Sequence, residues 1–112
     1  MKYALMIYPP TDENPTTAPE DEAAVTAEYL ALATDRRYVT GAHLQPAETA
    51  TSVRVPNGKT LMTDGPFADT KEVLGGFMII EAANLDEATE FAARIPAARL
   101  GGGVEVRPVD PH

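Results

Sequence analysis

Gly75-Gly76-Phe77-Met78-Ile79-Ile80-Glu81-Ala82-Ala83-Asn84-Leu85-Asp86-Glu87-Ala88-Thr89-Glu90-Phe91-Ala92-Ala93-Arg94-Ile95-Pro96 holds a strand, a cap, a helix and a stop in that order. The glycine pair introduces residues 77–82, an apolar run on both faces except for Glu81, which reads as a strand. Asn84, with Glu87 three positions on, has the spacing of a capping box. Ala88, Phe91, Ala92 and Ile95 recur at helical spacing and define one buried stripe. Pro96 restricts the residue before it and ends the helix.

Working outward, residues 2–8 form a compact apolar run stopped by Pro9-Pro10, which cannot donate ladder hydrogen bonds, and read as a first strand. Both of its side-chain sets, Tyr3/Leu5/Ile7 and Ala4/Met6/Tyr8, are apolar. Thr17 and Glu20 have capping-box spacing and Pro19 suits a first turn, so a helix is expected over residues 19–36 with Val25, Tyr29 and Leu32 on its buried side. Glu20, Asp21 and Glu22 suit its positive end, and Arg36-Arg37 its negative end. From 38 to 69 the pattern turns to short β-rich pieces. Residues 51–55 and 59–63 flank Pro56-Asn57-Gly58, and Asn-Gly between two β-prone runs predicts a hairpin. Residues 104–109 close the chain as a last strand.

The order strand, helix, strand or hairpin, strand, helix, strand is that of an α+β ferredoxin-like domain, with an inserted β-hairpin expected to lengthen the sheet. Two helices cover one face of such a sheet, yet the first and third main strands are apolar on both. The uncovered face calls for a homodimer packed sheet against sheet.

The chain has 112 residues, which sets the expectation of a single domain over 1–112. Its formal net charge of -8 would be repelled by phosphate backbones and anionic lipid, so nucleic acid and membrane are excluded as expected partners. Without cysteine there is no disulfide, thiolate metal site or thiol nucleophile. The first residues lack a signal peptide's apolar length, and no stretch approaches a bilayer span, so a cytoplasmic location is expected. The two histidines lie far apart in sequence, and no metal and no cofactor are expected.

Thr63-Asp64-Gly65-Pro66-Phe67-Ala68-Asp69-Thr70-Lys71-Glu72, followed by Leu74-Gly75-Gly76-Phe77, resembles the YCII-related (YciI-like) family, in the branch named for its DGPF motif. The likeness extends to Met1-Lys2-Tyr3, Ile7-Tyr8, Leu44-Gln45-Pro46, Thr49-Ala50-Thr51, Val53-Arg54 and Val104-Glu105-Val106-Arg107-Pro108. It implies a dimeric α/β barrel of ferredoxin-like protomers. The DGPF branch is largely uncharacterised and often lies beside genes for extracytoplasmic-function sigma factors. The YciI-type branch has been suggested to use a histidine early in the first helix and an aspartate just before the proline that ends the second. Here the first predicted helix has no histidine and Ile95 precedes Pro96, so that dyad does not carry over.

Two groups are candidates for acid/base chemistry. Asp64 ends an apolar strand and enters a Gly-Pro turn, where an acid can be held beside a dry cleft. An aspartate at a turn also bonds its own following amides, and that structural role takes precedence. His43, the histidine inside the predicted fold, could act as a general base or be oriented by Asp64; a surface or structural histidine is the commoner outcome. Arg54 could hold a substrate carboxylate, as could Lys71, for which a salt-bridge role is favoured. Tyr8, Phe67 and Phe77 could line a small apolar ligand pocket, against the plainer reading as core.

The leading expectation is a small-molecule-binding domain with a cleft beside the DGPF loop, with or without acid/base catalysis by Asp64 and His43. The alternative is a non-catalytic regulatory or protein-interaction module, linked to sigma-factor regulation by the family's gene neighbourhood. A third reading makes the motif only a fold-defining turn.

Overall fold

The structure, a computed structural model, describes residues 1–10, 21–67 and 72–111. β1 (Lys2–Tyr8), α1 (Glu22–Ala33), β2 (Tyr38–His43), β3 (Thr51–Arg54), β4 (Leu61–Asp64), β5 (Gly76–Glu81), α2 (Leu85–Ala93) and β6 (Gly103–Pro108) follow in chain order. The main sheet has the order β2-β5-β1-β6 with every pairing antiparallel, the ferredoxin-like arrangement.

β1 and β5 occupy the centre because both alternate apolar residues on two faces. Tyr3, Leu5 and Ile7 of β1 and Met78 and Ile80 of β5 are buried beneath the helices. Leu32 of α1 and Ala88, Phe91 and Ala92 of α2, with Ile95 beyond it, complete that core. Phe91, Leu5, Leu32, Ile80 and Ile95 are fully buried, each contributing about 1.5–3 kcal/mol by leaving water. The other face carries Ala4, Met6 and Tyr8 beside Phe77 and Ile79, which alternate half-buried with their buried neighbours.

The second helix forms as its spacing predicts. Asn84 Oδ1 accepts from the Glu87 amide at 2.9 Å and the Glu87 carboxylate accepts from the Ala83 amide at 3.2 Å. The first helix is shorter than expected. Thr17, Pro19 and Glu20 lie outside the described residues, and the cap is Asp21, whose side chain accepts from the Ala23 amide. The helix ends at Ala33 because Asp35 forms a competing local turn: its carboxylate accepts from the Arg37 amide at 2.9 Å and its carbonyl from the Tyr38 amide at 3.0 Å. Arg36 and Arg37 therefore do not extend the helix end, and Arg37 lies 5.1 Å from the Phe91 ring centre.

Tyr38–His43, from within the β-rich tract, supplies the second ferredoxin strand. The hairpin exists, with Asn57 and Gly58 both at positive φ (53° and 78°), but β3 and β4 pair only with each other and form a separate two-stranded sheet. It does not lengthen the main sheet. Among the described residues neither edge strand of the main sheet, β2 or β6, pairs with the hairpin.

Asp35 anchors a charged cluster at the start of β2. Arg37 donates to it from Nε at 3.0 Å and from a terminal nitrogen at 3.0 Å, and Arg94 adds a contact at 3.3 Å. Arg37 also reaches Glu90 at 3.2 Å. The Arg37 guanidinium, then its amide, hold the Asp35 carboxyl well below the usual carboxylate range. A folded-state value depressed in this way stabilises the fold above the unfolded value of about 3.9, and that contribution fades as pH falls below it. Asp35→Asn is expected to melt lower at neutral pH and to show a flatter fall in Tm between about pH 5 and about pH 2. An acid limb as steep as wild type would show that Asp35 is not one of the groups driving it.

Candidate functional site

Between α1 and the sheet lies a cleft of about 500 Å³. Ile7, Pro9, Val25, Leu30 and Met78 make its walls largely apolar, and Glu22, Thr26, Tyr29, Tyr38 and His43 are the polar side chains along it. The local sequence opens this space. The side of Gly41 that a Cβ would occupy is taken by the Tyr38 hydroxyl at 2.8 Å and the Phe77 carbonyl oxygen at 2.7 Å, so a larger residue at 41 would displace the cleft's floor. Tyr29 borders the same cleft; its burial pushes the phenol above its ordinary value, against the opposing pull of the Ala97 amide and Arg99, and so favours the neutral form.

Chain direction gives the cleft two unlike ends. α1 runs through a short turn directly into β2, with the Tyr38 amide bonded to the Asp35 carbonyl, so helix and strand lie antiparallel along the cleft. Ala33 and Tyr38 therefore share one end, and Glu22 and His43 share the other. His43 pairs with Gly76 in the β2–β5 ladder, which puts it on the helix-bearing face beside the buried Gly76. His43 is exposed at the mouth of the cleft.

The remaining expected residues fall in two other places. Asp64 closes β4 opposite Thr51, exposed, with no hydrogen bond or ion pair to His43. The turn after it is pinned to β3: the Gly65 amide donates to the Ala50 carbonyl at 2.6 Å and the Ser52 hydroxyl to the Gly65 carbonyl at 2.6 Å. Gly65 has φ 95°, a conformation that favours glycine ahead of Pro66. Phe67 is exposed and lies under the Arg54 guanidinium, 4.4 Å from ring centre to carbon, so Arg54 and Phe67 meet each other on the hairpin. Tyr8 belongs to the open face of the sheet, in the register that pairs Met6 with Phe77. Phe77 belongs to that face as well, and borders the cleft where β5 pairs with β2. Lys71 lies outside the described residues.

Glu22, Thr26, Tyr38 and Gly41 belong to the cleft but not to the site candidates named from the sequence, where Glu22 figured only as a helix-end charge. Glu22, Thr26, Leu30 and Ala33 follow one another at four, four and three positions, a helical stripe that alanine-rich surroundings obscure. Tyr38 and Gly41 have no sequence signal of their own, because their place depends on the β2–β5 register.

Among the described residues no helix is long and apolar enough to cross a membrane. The chain is similar to an uncharacterized protein of Rhizobium meliloti (strain 1021), at 39% identity over 97% of this chain and 92% of that protein. With residues 1–112 also matching the YCII-related domain, the resemblance carried by residues 63–77 holds for the whole length, and the chain belongs to the YCII-related family.

Proposed function

We propose that this chain binds a small organic molecule in the cleft between α1 and the sheet, and that His43 is the group there able to exchange a proton with it. The observation that supports this reading is the combination of apolar walls and an imidazole at the mouth of one cleft of about 500 Å³, the usual make-up of a small-molecule site. In this reading Asp64 serves the hairpin turn and does not face the ligand, and Arg54 and Phe67 stiffen the same turn. A second copy of the chain covers the open sheet face.

Thermal melting across a broad panel of neutral, cationic and anionic metabolites tests the proposal, because a ligand that binds only the folded protein raises Tm by mass action. A stabilising compound is expected to lose most of its effect in Thr26→Trp, which fills the cleft from an exposed helix position. It is expected to keep its effect in Asp64→Ala. For a compound turned over, His43→Gln should cut kcat by about 100-fold or more with less change in KM, the scale of a lost general acid or base. Stabilisation that survives Thr26→Trp, or that vanishes with Asp64→Ala in a folded variant, would move the site to the hairpin.

A further inference from the structure

We infer that the cleft selects a cation: an amine-bearing small molecule whose apolar body lies along α1 and whose charge is met by Glu22. The inference rests on the cleft being the ligand site. Glu22 is the carboxylate among the described cleft residues, and no described lysine or arginine lines it. Glu22 has no ion pair among the described residues.

Several arginines of the described residues are committed to other partners. Arg37 and Arg94 hold Asp35, and Arg99 holds Glu28 at 2.7 Å. Arg54 is stacked on Phe67. The positive end of α1 would itself attract an anion, but a helix terminus amounts to about half an elementary charge. Here two carboxylates, the Asp21 cap and Glu22, stand against it. An anion entering the cleft would meet these carboxylates with no cation among the described lining residues, whereas an amine would find a carboxylate, the Thr26 hydroxyl one helical turn on, and apolar walls beyond.

Three probes with one apolar body separate charge from shape: phenethylamine, 3-phenylpropionamide and 3-phenylpropionate. Each is titrated into the full chain at physiological salt, where the screening length is about 8 Å and the overall negative charge counts for little. The His43 ring-proton resonance, assigned with His43→Gln, reports the site. The amine is expected to bind about tenfold or more tighter than the carboxylate, with the amide between. Glu22→Gln should remove that preference, and Glu48→Gln, which deletes an equal charge outside the cleft, should preserve it. A carboxylate that binds as tightly as the amine, or a preference that survives Glu22→Gln, overturns the inference while binding of all three leaves the cleft reading standing. No shift of His43 with any probe overturns both.

Discussion

Gly102→Ala is expected to lower the melting temperature by roughly 10–20 °C, the effect of about 3 kcal/mol on a domain of this size. A Cβ at this position would overlap the carbonyl oxygen of Tyr8 and lie 2.9 Å from the Pro9 carbonyl carbon. Both are backbone atoms, so no rotamer change can make room. The Gly102 amide also donates to the Ala97 carbonyl at 3.1 Å, which ties the entry of β6 to the turn after α2. The variant must either break that tie or pull β6 away from the end of β1, where Tyr8 pairs with Gly103. Gly103→Ala is the control, because a Cβ there meets open space, and it should melt within a few degrees of wild type. Equal melting of the two variants would show that β1 and β6 do not approach as described.

Ile79→Lys is expected to convert a dimer into a folded monomer, weakening association at least about 100-fold, which corresponds to about 3 kcal/mol. Ile79 stands in the middle of the open face, between Ala4 of β1 and Thr40 of β2. Met6 and Phe77 flank it in the next register position. Water on such a face is unfavourable for the apolar side chains, and a second copy offers the same face in return. A lysine there would have to bring its charge among the apolar side chains at the centre of the contact. In the monomer the same lysine reaches solvent along its own stem, so the fold should hold. Sedimentation equilibrium decides the matter. Wild type should show twice the chain mass and the variant the chain mass, with the variant's far-ultraviolet circular dichroism unchanged. A monomeric wild type would overturn the dimer, and a dimeric variant would place its contact on another face.

Much of the fold was legible in local chemistry. The second helix, its Asn84 cap and its Ala88, Phe91 and Ala92 stripe need only neighbours three and four positions away, and these three, with Ile95 just past the helix end, are buried. The Asn57-Gly58 turn is similarly local, since its positive φ values are a property of those two residues. The first helix was less legible because capping candidates compete: Asp21 and Asp35 set its ends by hydrogen bonds that composition does not rank.

By itself, the sequence determined the helix and strand order, the two apolar faces of β1 and β5, the hairpin, and the family carried by residues 63–77. Each depends on short-range periodicity, turn chemistry or a contiguous motif. Only the tertiary structure decided that His43 stands across from Gly76 on the helix-bearing face, that Glu22 shares its end of the cleft, and that Asp64 belongs instead to a separate hairpin sheet. Strand register and the direction in which a helix returns across a sheet bring together residues twenty or more positions apart, and a one-residue slip in the β2–β5 ladder would turn His43 to the opposite face.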